Sequence, residues 1–237
     1  MPRKKKTSEA VAEAPRIARP RLSTDDQKEP NFNRRGEATF DRLMRIVASM
    51  YRERGYERTS MSMLARRAGL TPPALYHYFG KKEDILAVFL EYTLNDLREA
   101  VQPALKSKTW TAKLERFVKL LVKWQLNQTP FSEAYDRIFE LGQLRNSLPD
   151  PYRAKVLDLE REIYEVCRQI VAGGIEAGEF REVPVAPTVF AIIALGDYTL
   201  GWYRHDGPLT HSQLGDTYAD LAIAMLRKSD APRPSED

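Results

Sequence analysis

The sequence predicts an all-α protein of about nine helices, with a small three-helix unit followed by a larger helical domain. Apolar residues recur at helical spacing from about residue 34 onward, and prolines and glycines separate the periodic segments. No stretch alternates polar and apolar residues between hairpin turns, as a strand in an exposed sheet would. The chain has 237 residues, which is long enough to bury a sizeable core.

The first 33 residues contain too few apolar side chains to fold by themselves. Residues 1–33 are rich in proline, alanine, serine and charge, so we expect a disordered basic tail. Such a tail either holds phosphates as a flexible arm or serves only to keep the protein in solution. Residues 1–82 carry 19 basic and 9 acidic side chains, whereas residues 83–237 carry 18 and 24. This asymmetry indicates a nucleic-acid partner for the basic part.

A compact unit of three helices is predicted over residues 34–80. Ser60 offers a hydroxyl to begin the second helix, and Gly69 allows the left-handed conformation that ends it. Thr71 caps the third helix, and Pro72 stands at its first position, where a missing N–H costs nothing. Two helices joined by a three-residue turn with glycine are typical of a helix-turn-helix.

Six more helices are expected in residues 81–237, which we interpret as a ligand-binding and dimerisation domain. Their predicted limits are about 81–101, 114–129, 131–144, 149 to a break at 173–174 or 178, 187–204 and 212–227. The last two helices carry more apolar surface than one core needs, so we expect a two-fold dimer through a four-helix bundle. The residues expected to supply that surface are Phe190, Ile193, Leu200, Leu214, Tyr218, Leu221 and Met225.

Cysteine use and hydropathy suggest a protein of a reducing compartment. Cys167 is the single cysteine and lies among apolar residues, so we expect a buried, reduced thiol. The basic N-terminus is not followed by an apolar segment, unlike a secretory signal. The longest apolar run, Val189–Leu195, is much too short to span a bilayer. We therefore expect a cytoplasmic location and no membrane partner.

Several motifs together resemble the TetR family of bacterial repressors. The resemblance rests on Tyr51–Gly55, Thr59-Ser60, Leu64–Leu70, Leu75–Phe79 and Lys82–Leu86, in matching order over about 50 residues. A weaker match at Gly174–Arg181 resembles the turn before the family's dimerisation helices. Another, Trp202–Thr210, resembles regulators of fatty-acid and steroid breakdown, several of which sense acyl-CoA thioesters. The chain departs from the family pattern at Pro72-Pro73, which leaves the base preference open.

The residues expected to contact DNA lie around the turn between the second and third helices. Pro72, Pro73 and Ala74 either contact thymine methyl groups or only form a rigid helix start. Tyr76 resembles the family's phosphate-contacting tyrosine, and Lys82 stands at a helix start that also attracts phosphate. The full set is Thr59, Ser60, Thr71, Pro72, Pro73, Ala74, Tyr76, His77, Lys81 and Lys82.

Aromatic residues in the acidic part predict either a ligand cavity between helices or an ordinary core. Tyr198, Trp202 and Arg204 either border that cavity or lie at a dimer interface. The candidate ligand contacts are Trp110, Phe117, Leu121, Trp124, Phe131, Tyr135, Phe139, Tyr164, Tyr198, Trp202 and Arg204.

Catalytic and metal motifs are missing from the sequence. His77, His205 and His211 are the only histidines, and none has a metal-ligand spacing such as His-Glu-x-x-His. We expect no enzyme, cofactor or metal, but a homodimeric transcriptional regulator that binds palindromic operator DNA, and the resemblance implies a repressor. A small hydrophobic or acyl-CoA effector would release it. The alternatives are a DNA-binding dimer without effector, such as a nucleoid or division factor, and a ligand-binding or enzymatic helical protein.

Overall fold

A computed structural model describes residues 34–127, 129–140 and 148–228, without the side chains of 34–39, 129, 136, 137, 139 and 140. The expected tail, residues 1–33, lies outside the described residues. Within these ranges the chain forms nine α-helices and no strand, which confirms the predicted all-α fold. The helices are α1 (Arg34–Arg54), α2 (Met61–Ala68), α3 (Pro72–Tyr78), α4 (Lys82–Val101), α5 (Trp110–Asn127), α6 (Thr129–Glu140), α7 (Asp150–Glu176), α8 (Val185–Asp197) and α9 (His211–Leu226). Short 3-10 helices follow α4, at Gln102–Lys106, and α8, at Tyr198–Gly201.

Helices α1, α2 and α3 form the N-terminal unit around a small apolar core. Met44, Tyr51, Leu64 and Leu75 are fully buried there. The backbone of Gly55 has a φ of 79° and that of Gly69 a φ of 69°, so both helix ends use the left-handed conformation expected from sequence. This core holds α3 with one apolar face inward and its other faces free.

Helix α5 is the central element of the larger domain and packs against α4, α7, α8 and α9. Helix α4 runs from the N-terminal unit into this domain and packs along α7, while α1 packs against α6. These two contacts join the N-terminal unit to the rest of the chain. No helix in the described part of the chain is long and apolar enough to cross a membrane.

Of the two breaks predicted for α7 the structure confirms the later one, at Gly178, and it places the end of α8 earlier than predicted. Helix α7 passes through Gly173 and Gly174, and the chain turns at Gly178, whose φ is 71°. A Cβ on Gly173 would lie 2.3 Å from the Trp110 ring, so glycine there permits close packing rather than a break. Helix α8 ends at Asp197 instead of near residue 204, and a 3-10 turn replaces its last part. The predicted end of α6, residues 141–144, lies outside the described residues.

Cys167 is buried in α7, as expected from its apolar neighbours. Burial raises the pKa of its thiol to about 12. The thiol is therefore protonated at neutral pH and behaves as a small apolar side chain.

Candidate DNA-binding surface and effector region

The third helix presents a short row of side chains to solvent above a buried anchor. Leu75 is fully buried, whereas Tyr76 and Tyr78 expose 50% and 42% of their surface. His77 is also exposed, and its ring lies edge-on to Tyr78, with centroids 5.8 Å apart. This seven-residue helix is buried at Leu75, and the three side chains that follow are exposed. A short helix with such an exposed end is typical of elements that enter a DNA major groove.

The start of α3 is fixed by its own sequence. The Thr71 hydroxyl accepts a hydrogen bond from the Ala74 amide at 3.3 Å, which confirms its capping role. Pro72 and Pro73 are exposed in the first turn, while Ala74 is half-buried. The first turn therefore offers apolar surface and few side-chain hydrogen-bond groups to a DNA partner.

The hydroxyl groups of Ser60 and Thr59 make different hydrogen bonds at the start of α2. The Ser60 hydroxyl is exposed and accepts from the Met63 amide at 3.3 Å. Thr59 is buried, and its hydroxyl donates to the Gly55 carbonyl at 2.8 Å. Its side chain therefore cannot reach a DNA backbone in this conformation, and the expectation of a Thr59 contact is corrected. It closes the α1–α2 turn instead.

The two lysines before and at the start of α4 differ in their surroundings. Lys81 is exposed, and its backbone amide donates to the Asp84 carboxylate at 3.0 Å. The Lys82 ammonium donates to the Glu57 carbonyl at 3.2 Å and lies 4.0 Å from the Tyr56 ring centre. Because an ammonium has three donors, Lys82 retains donors for a phosphate while its position is fixed.

Sequence reasoning missed two exposed side chains near this surface. Tyr78 was not among the predicted DNA contacts, yet it is exposed beside His77. Arg66 is exposed on α2, whereas its neighbour Arg67 is held by Glu53 at 3.1 Å. Counting helical positions from the buried Leu75 and Leu64 was the available signal for both.

The predicted aromatic set divides into an interior part and a peripheral part. Phe117, Leu121 and Trp124 are buried on α5. Phe131 of α6 packs onto Phe89 of α4, with stacked rings whose centroids are 6.1 Å apart. All four belong to the buried core of the larger domain, in which Leu121 packs against Gly196 at the end of α8.

Other members of the set lie away from that core or only at its edge. Trp110 packs at the start of α5 against Gly173. The Tyr135 hydroxyl donates to Glu160 at 3.1 Å, and the Tyr164 ring lies 5.3 Å from that of Phe190. Phe139 belongs to α6, and its side chain is outside the described residues.

The proposed cavity border at Tyr198, Trp202 and Arg204 is corrected by the structure. Tyr198 is 77% exposed, and Trp202 is exposed with its indole N–H donating to the Tyr218 hydroxyl at 3.2 Å. The Arg204 guanidinium is exposed and pairs with Asp206 at 3.0 Å. These side chains lie at the surface, in the segment between α8 and α9, and the dimer-interface alternative stays a prediction.

Several polar groups are buried inside the larger domain. The Trp124 indole donates to Asp96 at 2.7 Å, and the Gln125 amide donates to Asp197 at 2.9 Å. Glu91 of α4 is buried and forms an ion pair with Lys155 of α7. Burial raises the pKa of Glu91 and of Asp96, although their partners act in the opposite direction.

Two open grooves lie between the end of α4 and α7. Their volumes are about 450 and 520 Å³. Charged and polar side chains line them, and none of the predicted aromatic residues does. The groove residues are Arg98, Glu99, Gln102, Pro103, Leu105, Lys106, Asp158, Arg161, Glu162, Glu165, Val166 and Gln169.

Polar contacts hold the N-terminal unit and the start of α4 against the rest of the larger domain. Arg52 of α1 pairs with Glu133 of α6 at 3.4 Å. The Tyr152 hydroxyl of α7 donates to one oxygen of Asp84 at 3.1 Å, and the other oxygen accepts from the Lys81 amide at 3.0 Å. The Asp84 carboxylate therefore ties the loop after α3 to the longest helix of the larger domain.

Comparison with known proteins gives two family matches. Residues 48–88 match the family described as bacterial regulatory proteins, tetR family, and residues 107–226 match the tetracyclin repressor-like C-terminal domain. The chain is 26% identical over 201 residues to the HTH-type transcriptional repressor KstR2 of Mycobacterium tuberculosis, covering 83% of this chain and 94% of that protein.

Solved structures share the same fold. The TetR family regulator PfmR of Thermus thermophilus is 32% identical, with a TM-score of 0.70 over 78% of this chain and 98% of that one. AibR, solved with isovaleryl coenzyme A and operator DNA, is 21% identical, with a TM-score of 0.66 over 79% of this chain and 97% of that one.

Proposed function

Because the chain belongs to the TetR family of bacterial regulatory proteins, we propose that it is a dimeric repressor that binds palindromic operator DNA and is released by an acyl-CoA-type effector. The observation that carries the DNA-binding part is the exposed row of Tyr76, His77 and Tyr78 above the buried Leu75. The basic charge of residues 1–82 supports it, since phosphate neutralisation supplies most non-specific affinity for DNA. Repression is supported by the name of the relative KstR2.

Exposed apolar side chains on α8 and α9 support the dimer. Phe190 is 64% exposed and Leu221 is 48% exposed, and Tyr198 and Trp202 extend the same surface. Leu214, which was expected at this surface, is buried within its own bundle and does not contribute. A second copy that covers these residues completes a four-helix bundle of two α8–α9 pairs.

Sedimentation tests the dimer. The wild type should sediment as a dimer at micromolar concentration, because two apolar helix faces are then buried. Leu221→Glu should shift it to the monomer, whereas Lys108→Gln changes the net charge by the same amount on an exposed loop and should not. A wild-type monomer under these conditions would contradict the dimer.

An acyl chain among the aromatic side chains of α5 and α6 is the effector mode that the chemistry favours. Phe117, Trp124 and Phe131 offer apolar contacts. Burying the charged phosphates of coenzyme A in this interior would cost far more free energy than burying an acyl chain. The phosphates of coenzyme A therefore stay at the surface while the acyl group enters. The AibR complex supports this, since a protein of this fold holds a CoA thioester and operator DNA together.

A ligand-free DNA-binding dimer is the second candidate, and one observation favours it. The two grooves of the larger domain are open and polar, while the aromatic residues of α5 are buried away from them. An acyl chain therefore requires α5 and α6 to move apart, at a cost that its binding has to exceed. A dimer of this kind responds to no thioester.

Coupling between the two parts runs through α4 in this proposal. A ligand that separates α5 and α6 moves α4 and α7, and with them Tyr152 and Asp84. Two recognition helices in a dimer then change their separation, so the operator fits only one state. Typical coupling free energies are about 1–3 kcal/mol, or roughly 5- to 150-fold in affinity, and the effect is reciprocal.

The test begins by selecting the operator from a random DNA pool with the full-length chain. The labelled complex is then titrated with acyl-CoAs of several chain lengths, with free CoA as the control. Release by thioesters but not by free CoA is expected. Release by none, with an inverted-repeat operator bound by a dimer, would establish the ligand-free candidate instead. Tyr152→Phe should bind operator and thioester normally but show weaker release, because it loses the bond to Asp84.

A further inference from the structure

Two histidines that are six positions apart meet on the surface of the larger domain. His205 lies in the loop between the second 3-10 helix and α9, and His211 is the first residue of α9. Nε2 of His211 lies 3.3 Å from Nδ1 of His205. Asn127, the last residue of α5, completes the group with its Oδ1 at 3.1 Å from Nδ1 of His211. Neither the proposed DNA surface nor the effector region uses these residues.

The separation of the two ring nitrogens suits a shared metal ion. A tetrahedral Zn²⁺ holds its nitrogen ligands at about 2.0–2.1 Å, so two of them lie roughly 3.3–3.4 Å apart. The observed 3.3 Å matches this spacing, and the ring centres are 5.3 Å apart. The nitrogens therefore need little change in separation, and the His205 ring has only to lose its Nδ1 proton and turn its lone pair toward the ion.

The contact with Asn127 prepares His211 as a ligand. An amide oxygen accepts a hydrogen bond, so Nδ1 of His211 carries the proton and Nε2 carries the lone pair. A metal-bound histidine nearly always donates its other N–H to such an oxygen, which fixes the ring.

The surrounding loop holds both rings in place. The Tyr203 ring centre lies 5.4 Å from that of each histidine, and its hydroxyl donates to the Leu209 carbonyl at 2.9 Å. Thr210 caps α9 directly before His211. The Asp206 carboxylate, next to His205, is occupied by Arg204. The two imidazoles are thus pre-positioned.

We propose that His205 and His211 form a binding site for a divalent cation that favours imidazole, with Zn²⁺ as the expected ion and water completing its coordination. Imidazole ligands suit zinc, copper and nickel, whereas magnesium and calcium favour carboxylate oxygens. Within the described ranges no group of three His, Cys, Asp or Glu side chains converges, so this is a two-ligand site. On binding, the proton on Nδ1 of His205 moves to Nε2 through solvent, and both rings stay neutral.

A bound ion ties three segments together. It joins the loop at His205 to the start of α9, and through Asn127 to the end of α5. Helix α9 carries part of the exposed apolar surface, including Leu221. The ion therefore stabilises the region proposed to dimerise, without touching the DNA-binding unit.

The test uses full-length protein without a histidine tag. Co²⁺ is titrated alone and followed by visible absorption, and Zn²⁺ is then added in competition. One ion per protomer should bind, with a rise in Tm. His205→Gln and His211→Gln should each lose binding and the Tm rise, whereas His77→Gln, on the recognition helix, should keep both. The proposal would be overturned if the wild type shows no saturable Co²⁺ binding, or if both His205→Gln and His211→Gln retain Co²⁺ binding.

A substitution outside the two ligands tests whether the observed hydrogen-bonded geometry, and not a chance contact of two histidines, binds the ion. Asn127→Ala leaves both imidazoles in place but removes the acceptor that orients His211. Loss of such a partner typically weakens metal affinity by about 10- to 100-fold, so at least a roughly tenfold loss is expected. Unchanged affinity would mean that the ion binds without the observed geometry, which also overturns the proposal. Far-UV circular dichroism of each metal-free variant, and its Tm without added ion, report on folding independently of DNA and metal binding.

Discussion

The N-terminal unit and the larger domain differ in how many polar side chains they bury. The core of α1–α3 is mostly apolar, and its buried polar groups among the described residues include the hydroxyls of Thr59 and Tyr51. The larger domain, α4 included, buries several polar residues, namely Glu91, Thr93, Asp96, Gln125, Ser132 and Thr199. An apolar core holds the helix that packs on it in a fixed position. Buried polar groups need specific partners, so a change of helix positions alters their free energy.

This difference is clearest at two residues that anchor the two regions. Leu75 needs only apolar neighbours to hold α3. Gln125 uses its amide N–H on Asp197, while its oxygen has no partner among the described residues. This hydrogen bond joins the end of α5 to the end of α8, so it depends on the relative position of these two helices. The proposed effector would therefore act through groups of the larger domain, where a change of helix positions alters such contacts.

The strongest test of the N-terminal core is Leu75→Ala. Removing a fully buried leucine leaves a cavity and should lower the free energy of unfolding by about 2–5 kcal/mol. Operator affinity should fall with it, because α3 loses its anchor. Denaturant unfolding and a gel-shift titration measure the two effects. Tyr76→Ala is the matched control on the next residue, and it should leave stability nearly unchanged.

The buried polar contacts of the larger domain are tested by Trp124→Phe. The change removes the indole donor and leaves the Asp96 carboxylate without it, at a cost of about 1–3 kcal/mol. Burial already raises the pKa of Asp96, and losing the hydrogen bond raises it further.

The pH dependence of this variant has a definite sign. A folded-state pKa above the unfolded value means that the folded protein binds more protons, so stability falls as pH rises between the two. The cost of Trp124→Phe should therefore be larger at about pH 7 than below about pH 4. Adding Asp96→Asn should remove that dependence. A cost equal at both pH values would show that Asp96 is not the group left unpaired.

The exposed row on α3 is tested by comparing specific with random DNA. His77→Ala should weaken operator binding by about 1–3 kcal/mol if its ring reads a base edge. Binding to random DNA should change much less. An equal loss on both DNAs would show that His77 only contacts the backbone.

The smallest expected effect concerns a single phosphate contact. Lys82→Ala should reduce the slope of log K against log salt by about 0.9 and keep the base preference. Lys82 also packs on Tyr56, so thermal unfolding of the variant should accompany the titration. An unchanged slope would mean that the intramolecular contacts of Lys82 exclude phosphate.

Local signals explain why the N-terminal unit was predicted closely. Ser60 and Thr71 cap helices, and Gly69 adopts a left-handed conformation, all through contacts within a few residues. These interactions join residues that are close in the chain, so they can be predicted from the sequence. The Thr59 contact was wrong because its burial depends on how α1 and α2 pack.

The larger domain shows what sequence periodicity misses. Helix-period patterns located α4, α5 and α7, but they did not reveal that Trp124 pairs with Asp96 across 28 positions. The same patterns placed Leu214 at the dimer surface, although the packing of α9 on α5 buries it. The apolar character of a residue predicts that it is buried, but it does not predict which helix the residue packs against.

By itself, the sequence determined the all-α fold, the helix-turn-helix and its caps, because these follow from short-range hydrogen bonds and from apolar periodicity. Only the tertiary structure decided which aromatic residues share the core, that Tyr198 and Arg204 face outward, and that Tyr152 meets Asp84. It also brought His205 to His211 and Asn127. These placements depend on contacts between segments far apart in the chain, and no local pattern encodes such distances.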